Sequence, residues 1–283
     1  PQRTGQIEKK ETAEIDPTGI TEEHLGFEIG PRQNALGRLD DASHAEELLT
    51  PENRRVARPI ANHLEGLNAH RKMITSQVYE GALALIDSDP VLEGYSALVL
   101  DHPAWPGGVI GIVASRLVER YNKPALLITS PPGELARGSA RSIPGVDISA
   151  AIAAQEDMLE GFGGHPMAAG FSLEAENIPA FRAGLSRIVS EMMGATPYEP
   201  TLQIDADLPL DKIDPGLIAD LERLAPFGPG NPNLVFTGSD LIYRSSREIG
   251  RNGDHLLVSL EDPGGEQRTV VWWGGGLNPC RIG

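Results

Sequence analysis

Gly161-Phe162-Gly163-Gly164-His165-Pro166-Met167-Ala168-Ala169-Gly170-Phe171-Ser172-Leu173 runs two glycines into a histidine and then into small apolar residues. Glycine lets a backbone come close to another group, because no Cβ intervenes. An imidazole can donate to a phosphate oxygen or move a proton. Ala168 to Leu173 reads as a buried strand bounded by Glu174. The stretch therefore predicts a glycine-rich loop presenting His165 from the edge of a sheet. A tight turn holding a satisfied histidine fits the same residues, since a lone glycine-rich signal is weak.

Upstream of it the pattern is that of an α/β domain. Ser96 to Leu100 is a buried strand, Gly108 opens a helix with Ile110, Val113, Leu117 and Tyr121 on one face, and Asn122 can stop it in the left-handed conformation. Lys123-Pro124 leads into the strand Ala125 to Thr129, which completes a right-handed parallel βαβ unit. The Gly107-Gly108 turn at the helix start can bind an anion or serve close helix–strand packing. Ala136 to Ser142 reads as a strand with Ser139 and Arg141 on one side. Together they make a small phosphate clamp, or they are ordinary outward-facing polar residues. Asp147 caps a helix over Ile148 to Leu159, and a last helix runs from Ile178 to Met193 with Asn177 as its cap.

Further out, residues 1–23 lack apolar periodicity, and Phe27-Glu28-Ile29 reads as a short strand. Gly30 to Arg38 is expected as a loop carrying Arg32, Asn34 and Arg38, facing either a phosphate or Asp40 and Asp41. Asp41 or Ser43 can cap a short helix. Thr50-Pro51 starts a long one whose apolar residues Val56, Ile60, Leu64, Leu67, Ile74, Val78, Ala82 and Leu85 follow the 3.6-residue period. It is expected to end near Asp87 to Pro90 and to act as a connector, with Pro59 kinking it or shifting its start. After a linker at Ala195 to Pro200 come short strands at Leu202–Leu208, Leu234–Phe236, Asp240–Ser245, His255–Glu261 and Gln267–Trp273, separated by turn signals. That pattern suggests a small, incomplete barrel, with Tyr243, Trp272 and Trp273 as candidates for base stacking and at least one tryptophan expected in the core.

The 283 residues suffice for two domains, and the net charge of −16 argues against non-specific nucleic-acid binding unless a local arginine cluster opposes it. One cysteine, Cys280, forms no internal disulfide, and the apolar runs are far short of a membrane span. Cytoplasmic is the default location, with no membrane partner.

Several motifs in order resemble the DHH phosphoesterase superfamily, and among its members the RecJ-type single-strand-specific DNA exonucleases. They are Gly30-Pro31-Arg32-Gln33-Asn34-Ala35-Leu36-Gly37-Arg38-Leu39, Gly108-Val109-Ile110-Gly111-Ile112-Val113-Ala114-Ser115-Arg116-Leu117, Gly138-Ser139-Ala140-Arg141-Ser142, the Gly163-Gly164-His165 stretch, and Leu224 to Pro232. The resemblance spans about Phe27 to Gly274. It implies a fold of DHH-associated α/β domain with a mixed sheet, preceded by a long connecting helix and followed by a partial OB-like β-barrel. The divisions it implies are 1–50 as the end of a DHH domain, 51–90 as the helix, 91–195 as the α/β domain and 196–283 as a truncated OB-like domain.

The resemblance implies part of a 5′-to-3′ DNA exonuclease that depends on Mn²⁺ or Mg²⁺, whose partner is single-stranded DNA and whose setting is DNA repair and recombination. It assigns His165 to the scissile phosphate and Gly163 and Gly164 to close backbone approach. Arg32, Ser139 and Arg141 go to the terminal 5′-phosphate, with Asn34 and Arg38 beside them. The family's histidine ahead of Gly-Val-Ile-Gly is Pro106 here, and no Asp-His-His triplet occurs in the sequence. The chain is thus expected to bind no metal itself, to need the DHH domain as partner, and to be inactive alone. A phosphodiesterase of the same superfamily acting on oligonucleotides or cyclic dinucleotides is one alternative. A non-enzymatic nucleic-acid-binding scaffold is the other.

Overall fold

The run Leu98 to Leu100 and the run Ala125 to Ile128 are buried at every position, and such runs pair as inner strands covered on both faces. The computed structural model describes residues 20–40, 54–194, 201–250 and 253–276. The expected caps at Asp41, Ser43 and Thr50, the linker at Ala195 to Pro200, and Cys280 lie outside the described residues. The chain divides into two units, residues 1–200 and 201–283.

In the first unit a π-helical turn at His24–Ile29 runs into helix α1, Gly30–Leu39. The long helix α2, Arg54–Ser88, and a short α3, Pro90–Gly94, follow. Then come β1, Leu98–His102; α4, Gly107–Tyr121; β2, Ala125–Thr129; β3, Ala136–Arg141; and α5, Ile148–Ala153. The unit ends with β4, Gly161–His165; β5, Ala168–Leu173; and α6, Ile178–Met193. The sheet order is β1-β2-β3-β5-β4, with β1 and β2 parallel and the other pairs antiparallel. The parallel βαβ unit is as expected, and Asn122 stops α4 at φ 52°.

Two apolar layers sandwich the sheet. Val99, Leu126, Ile128, Ala140, Ala169, Phe171 and Leu173 pack against α5 and α6 through Ile148, Ile152, Phe181 and Leu185. Leu98, Leu100, Ala125 and Leu127 pack on the other face against α4 and the C-terminal half of α2. Fully burying one such Leu, Ile or Phe contributes about 1.5–3 kcal/mol. The N-terminal half of α2 holds α1 through Leu36, Ala61 and Leu64. Along the apolar stripe of α2, Ile60 to Leu85 are buried or half-buried, while Val56 stays 55% exposed.

Three local expectations are corrected. Phe27 to Ile29 is a helical turn, not a strand, and Gly30 to Arg38 is helix α1, not a loop. Gly30 and Pro31 look like punctuation, yet Pro31 stands in the first turn of α1, where its missing N–H costs nothing. Gly161 to His165 is edge strand β4 rather than a loop. The turn comes after the histidine, at Pro166-Met167, whose carbonyls accept from the Ile148 and Ser142 backbone N–H groups at 3.0 Å.

The second unit, described by itself, has a parallel pair β6, Ala206–Asp207, and β7, Phe236–Thr237, with helix α7, Pro215–Glu222, capped by Asp214. An antiparallel sheet follows: β8, Ile242–Ile249; β9, His255–Glu261; β10, Gln267–Trp272. The expected strand Leu202–Leu208 is reduced to the two residues of β6.

Candidate functional site

Strand register decides which side chains meet. Arg141 pairs with Ala168, and Ala168 with His165; Ser139 pairs with Gly170, and Gly170 with Gly163. Directly opposed residues of an antiparallel pair share a face. Two adjacent rows therefore run across β3, β5 and β4: Ser139, Gly170, Gly163, and Arg141, Ala168, His165. In β2 their opposites are Leu127 and Ala125, which lie under α4. So the rows occupy the α4 face of the sheet, and α4 covers it only over β1 to β3. The floor beyond is paved with glycine and alanine, and Gly163, Gly170 and His165 are exposed.

At the buried end of this shelf sits the clamp. Arg141 Nη1 donates to Ser139 Oγ at 3.1 Å and to the Ala140 carbonyl at 2.7 Å. Helix α4 reaches it at Gly111, where a Cβ would stand 2.8 Å from Arg141 Nη2 and 2.8 Å from Ser139 Oγ. A second arginine arrives from α1: Arg38 Nη1 donates to the Gly108 carbonyl at 2.9 Å. A Cβ on Gly108 would fall 2.0 Å from the Arg38 carbonyl oxygen, so this glycine serves close helix packing. Burial, and after it the charge of Arg38, pushes the Arg141 guanidinium below the ordinary arginine value. Burial, Arg38 and Arg116 push Arg71 down in the same way.

The described arginines sort by partner. Arg32 is held by carboxylates, with Nε donating to Glu65 Oε2 at 2.5 Å and Glu28 Oε2 lying 3.7 Å from Nη1. It closes α1 onto α2. Arg182 pairs with Asp101 at 2.9 Å and Arg244 with Glu261. Among the described residues Arg38 and Arg141 are held only by neutral oxygens, which leaves their charge to a ligand. Asn34 is exposed on α1, and the His165 imidazole has no hydrogen-bond partner among the described residues. Ser139, Arg141, Gly163 and His165 thus share one shelf. Arg38 acts electrostatically on its arginine, while Arg32 is engaged elsewhere. Gly164 has a packing reason, since a Cβ there would stand 2.4 Å from the Ala168 carbonyl oxygen. In the sequence Gly111 and Arg116 stand out only as members of the Gly108–Leu117 motif and Arg71 not at all, because helical spacing makes all three look like ordinary face residues.

In the second unit, register puts Tyr243 and Trp272 on one face of the three-stranded sheet with Leu256, Val258 and Leu260. All three aromatic candidates are exposed, Trp273 most at 73%, so neither Trp272 nor Trp273 takes the expected core place. Among the described residues no group of three His, Cys, Asp or Glu side chains could hold a metal ion, and no helix is long and apolar enough to cross a membrane.

Residues 94–191 match the model of the DHHA1 domain, and residues 204–281 that of the RecJ OB domain. The chain is 35% identical over 268 residues to the single-stranded-DNA-specific exonuclease RecJ of Escherichia coli, covering 90% of this chain and 45% of that protein. It is 32% identical over 264 residues to RecJ of Bacillus subtilis, covering 92% and 33%. The fold superposes on the crystal structure of Thermus thermophilus RecJ in complex with Mg²⁺ at a TM-score of 0.75 and 29% identity, over 95% of this chain and 40% of that one. The Mn²⁺ complex gives 0.76 at 26% identity. The chain therefore spans between a third and just under half the length of these curated relatives.

Proposed function

We propose that this chain, which belongs to the RecJ family of the DHH phosphoesterases, supplies the strand-holding wall of a single-strand-specific DNA exonuclease acting 5′ to 3′ in cytoplasmic DNA repair. The observation that carries the reading is the shared shelf: Ser139 and Arg141 at one end, His165 at the other, and a floor without bulky side chains between them. Arg141 and Ser139 receive the terminal 5′-phosphate through charge-assisted hydrogen bonds, with Arg38 adding to the field. The backbone of the strand lies over Gly170 and Gly163, where it comes close without meeting a Cβ. His165 donates to the phosphate one nucleotide further on. In the second unit, taken by itself, Tyr243, Trp272 and Trp273 offer stacking surfaces for bases of a single strand, as OB-folds do.

The metal stands apart from this reading. Relatives have been crystallised with Mg²⁺ or Mn²⁺, but among the described residues no group of three His, Cys, Asp or Glu side chains fits such an ion. We assign the metal, and the water it activates, to the part of the relatives' length that this chain does not span.

Titration of the chain with labelled oligonucleotides tests the reading. A 5′-phosphorylated single strand is expected to bind more tightly than its 5′-hydroxyl twin, and both more tightly than blunt duplex. Equal affinity for the two single strands would remove the terminal-phosphate role.

A further inference from the structure

Between α2 and α4, away from the sheet, lies a pocket of about 370 Å³ lined by Arg71, Lys72, Thr75, Ser76, Ile112 and Arg116. Each lining pair, 71 with 75, 72 with 76 and 112 with 116, is one helical turn apart, so two facing ridges build the walls. The lining carries three cations and two hydroxyls and no carboxylate, in a chain of net charge −16.

Among the described residues the two arginines are fixed by neutral partners and face no carboxylate. Arg71 Nη2 donates to Asn68 Oδ1 at 2.9 Å, and Asn68 is itself 1% exposed. The Arg116 guanidinium sits 5.3 Å from the centre of the Tyr79 ring, a cation–π contact. Arg71 Nε is buried and, among the described residues, has no hydrogen-bond acceptor. Like charges held together by neutral partners, with an unmatched buried donor, form a site already organised for an anion. Arg38 perturbs both Arg71 and Arg141, so this pocket and the clamp stand in one electrostatic field.

We infer that the pocket between α2 and α4 is a second phosphate site, which takes an internal backbone phosphate of the strand whose 5′ end is held by Ser139 and Arg141. The inference rests on the proposed function. A strand carries phosphates at short regular intervals and can fill two cation clusters at once, whereas a free phosphate fills one. Guanidiniums, an ammonium and a hydroxyl are the donor set that suits a phosphate oxygen.

The test uses the whole chain with Arg71→Gln and Arg116→Gln together, and Arg116→Lys as a charge-preserving control, each verified as folded by its thermal melt. Binding of a 5′-phosphorylated oligothymidylate is followed by anisotropy across a salt series. The double variant is expected to lose about ten- to hundred-fold in affinity at low salt. Its plot of log K against log salt should flatten by about 0.7, the value for one lost phosphate contact on a single strand. Arg116→Lys keeps the slope, and the preference for a 5′-phosphate survives in every variant. Unchanged affinity and slope in the double variant would overturn the second site. So would loss of the 5′-phosphate preference, which would make the pocket part of the terminal clamp. Competition by inorganic phosphate that weakens in the variant while strand binding does not would reduce the pocket to a free-anion site and overturn the inference too. If the unmodified chain shows no 5′-phosphate preference, it is the proposed function that fails.

Discussion

At the scale of the residue, adjacent glycines of one motif do different work. A Cβ on Gly163 meets nothing within 4 Å, whereas on Gly164, at φ 157°, it would press into the backbone of Ala168 and Ala169. Gly164→Ala is therefore expected to destabilise the fold by about 1–3 kcal/mol, through forced backbone shifts. Gly163→Ala should stay within about 0.5 kcal/mol of the parent and yet weaken strand binding. Denaturant melts paired with binding titrations separate the two, and equal stability losses would contradict the assignment. Gly111→Ala should also fold, because its Cβ meets the tips of the Arg141 and Ser139 side chains rather than backbone, but it should displace the clamp and reduce the 5′-phosphate preference. The sequence announced the glycines as a group; which of them faces backbone and which faces open space depends on strand pairing, and that cannot be read from spacing. Arg141 itself is held at a cost. A base whose folded pKa is lowered destabilises the fold at every pH below that value, and the penalty is relieved only above it. Arg141→Met keeps the side chain's stem and drops its charge, so its melting temperature at neutral pH should equal or exceed the parent's. A fall of several degrees would mean that the guanidinium stabilises the fold.

Elements come next. Most strands and helices from Leu98 to Met193 were legible because their apolar periods and caps agree: Asn122 ends α4 and Asp147 caps α5 through its bond to Ala150 N at 3.0 Å, although α5 stops at Ala153 rather than the expected Leu159. The stretch around Arg32 was not, because Gly30-Pro31 signals a turn and a helix start equally well, and packing of Leu36 on Ala61 and Leu64 decides for the helix. Arg32 was legible as a phosphate ligand only while that stretch was a loop; once helical, it meets Glu65 on α2. The glycine-rich stretch likewise reads as a loop until β5 supplies a partner. As an edge strand with small residues, β4 should exchange its amides much faster than β2, which is paired on both sides. Adding a 5′-phosphorylated oligonucleotide should slow exchange over Gly161–His165 and Gly138–Arg141 and leave α6 unchanged, since α6 covers the opposite face. Protection confined to α6 would put the strand on the wrong side of the sheet.

At the scale of the whole molecule, a chain with 24 Lys and Arg against 40 Asp and Glu holds a nucleic-acid strand only where its cations are concentrated and left unpaired. Total charge could not reveal this, because Arg32, Arg182, Arg187, Arg223, Arg244 and Arg268 face carboxylates and cancel, while among the described residues Arg38, Arg71, Arg116 and Arg141 are steadied by neutral groups instead. In the proposed function Arg141 receives the 5′-phosphate. A double cycle reads this most directly: affinities of the chain and of Arg141→Ala are measured for one oligonucleotide with and without its 5′-phosphate. The two changes should couple by about 1.5–3 kcal/mol, the worth of a hydrogen bond to a charged group. Additive effects, with a coupling near zero, would contradict it.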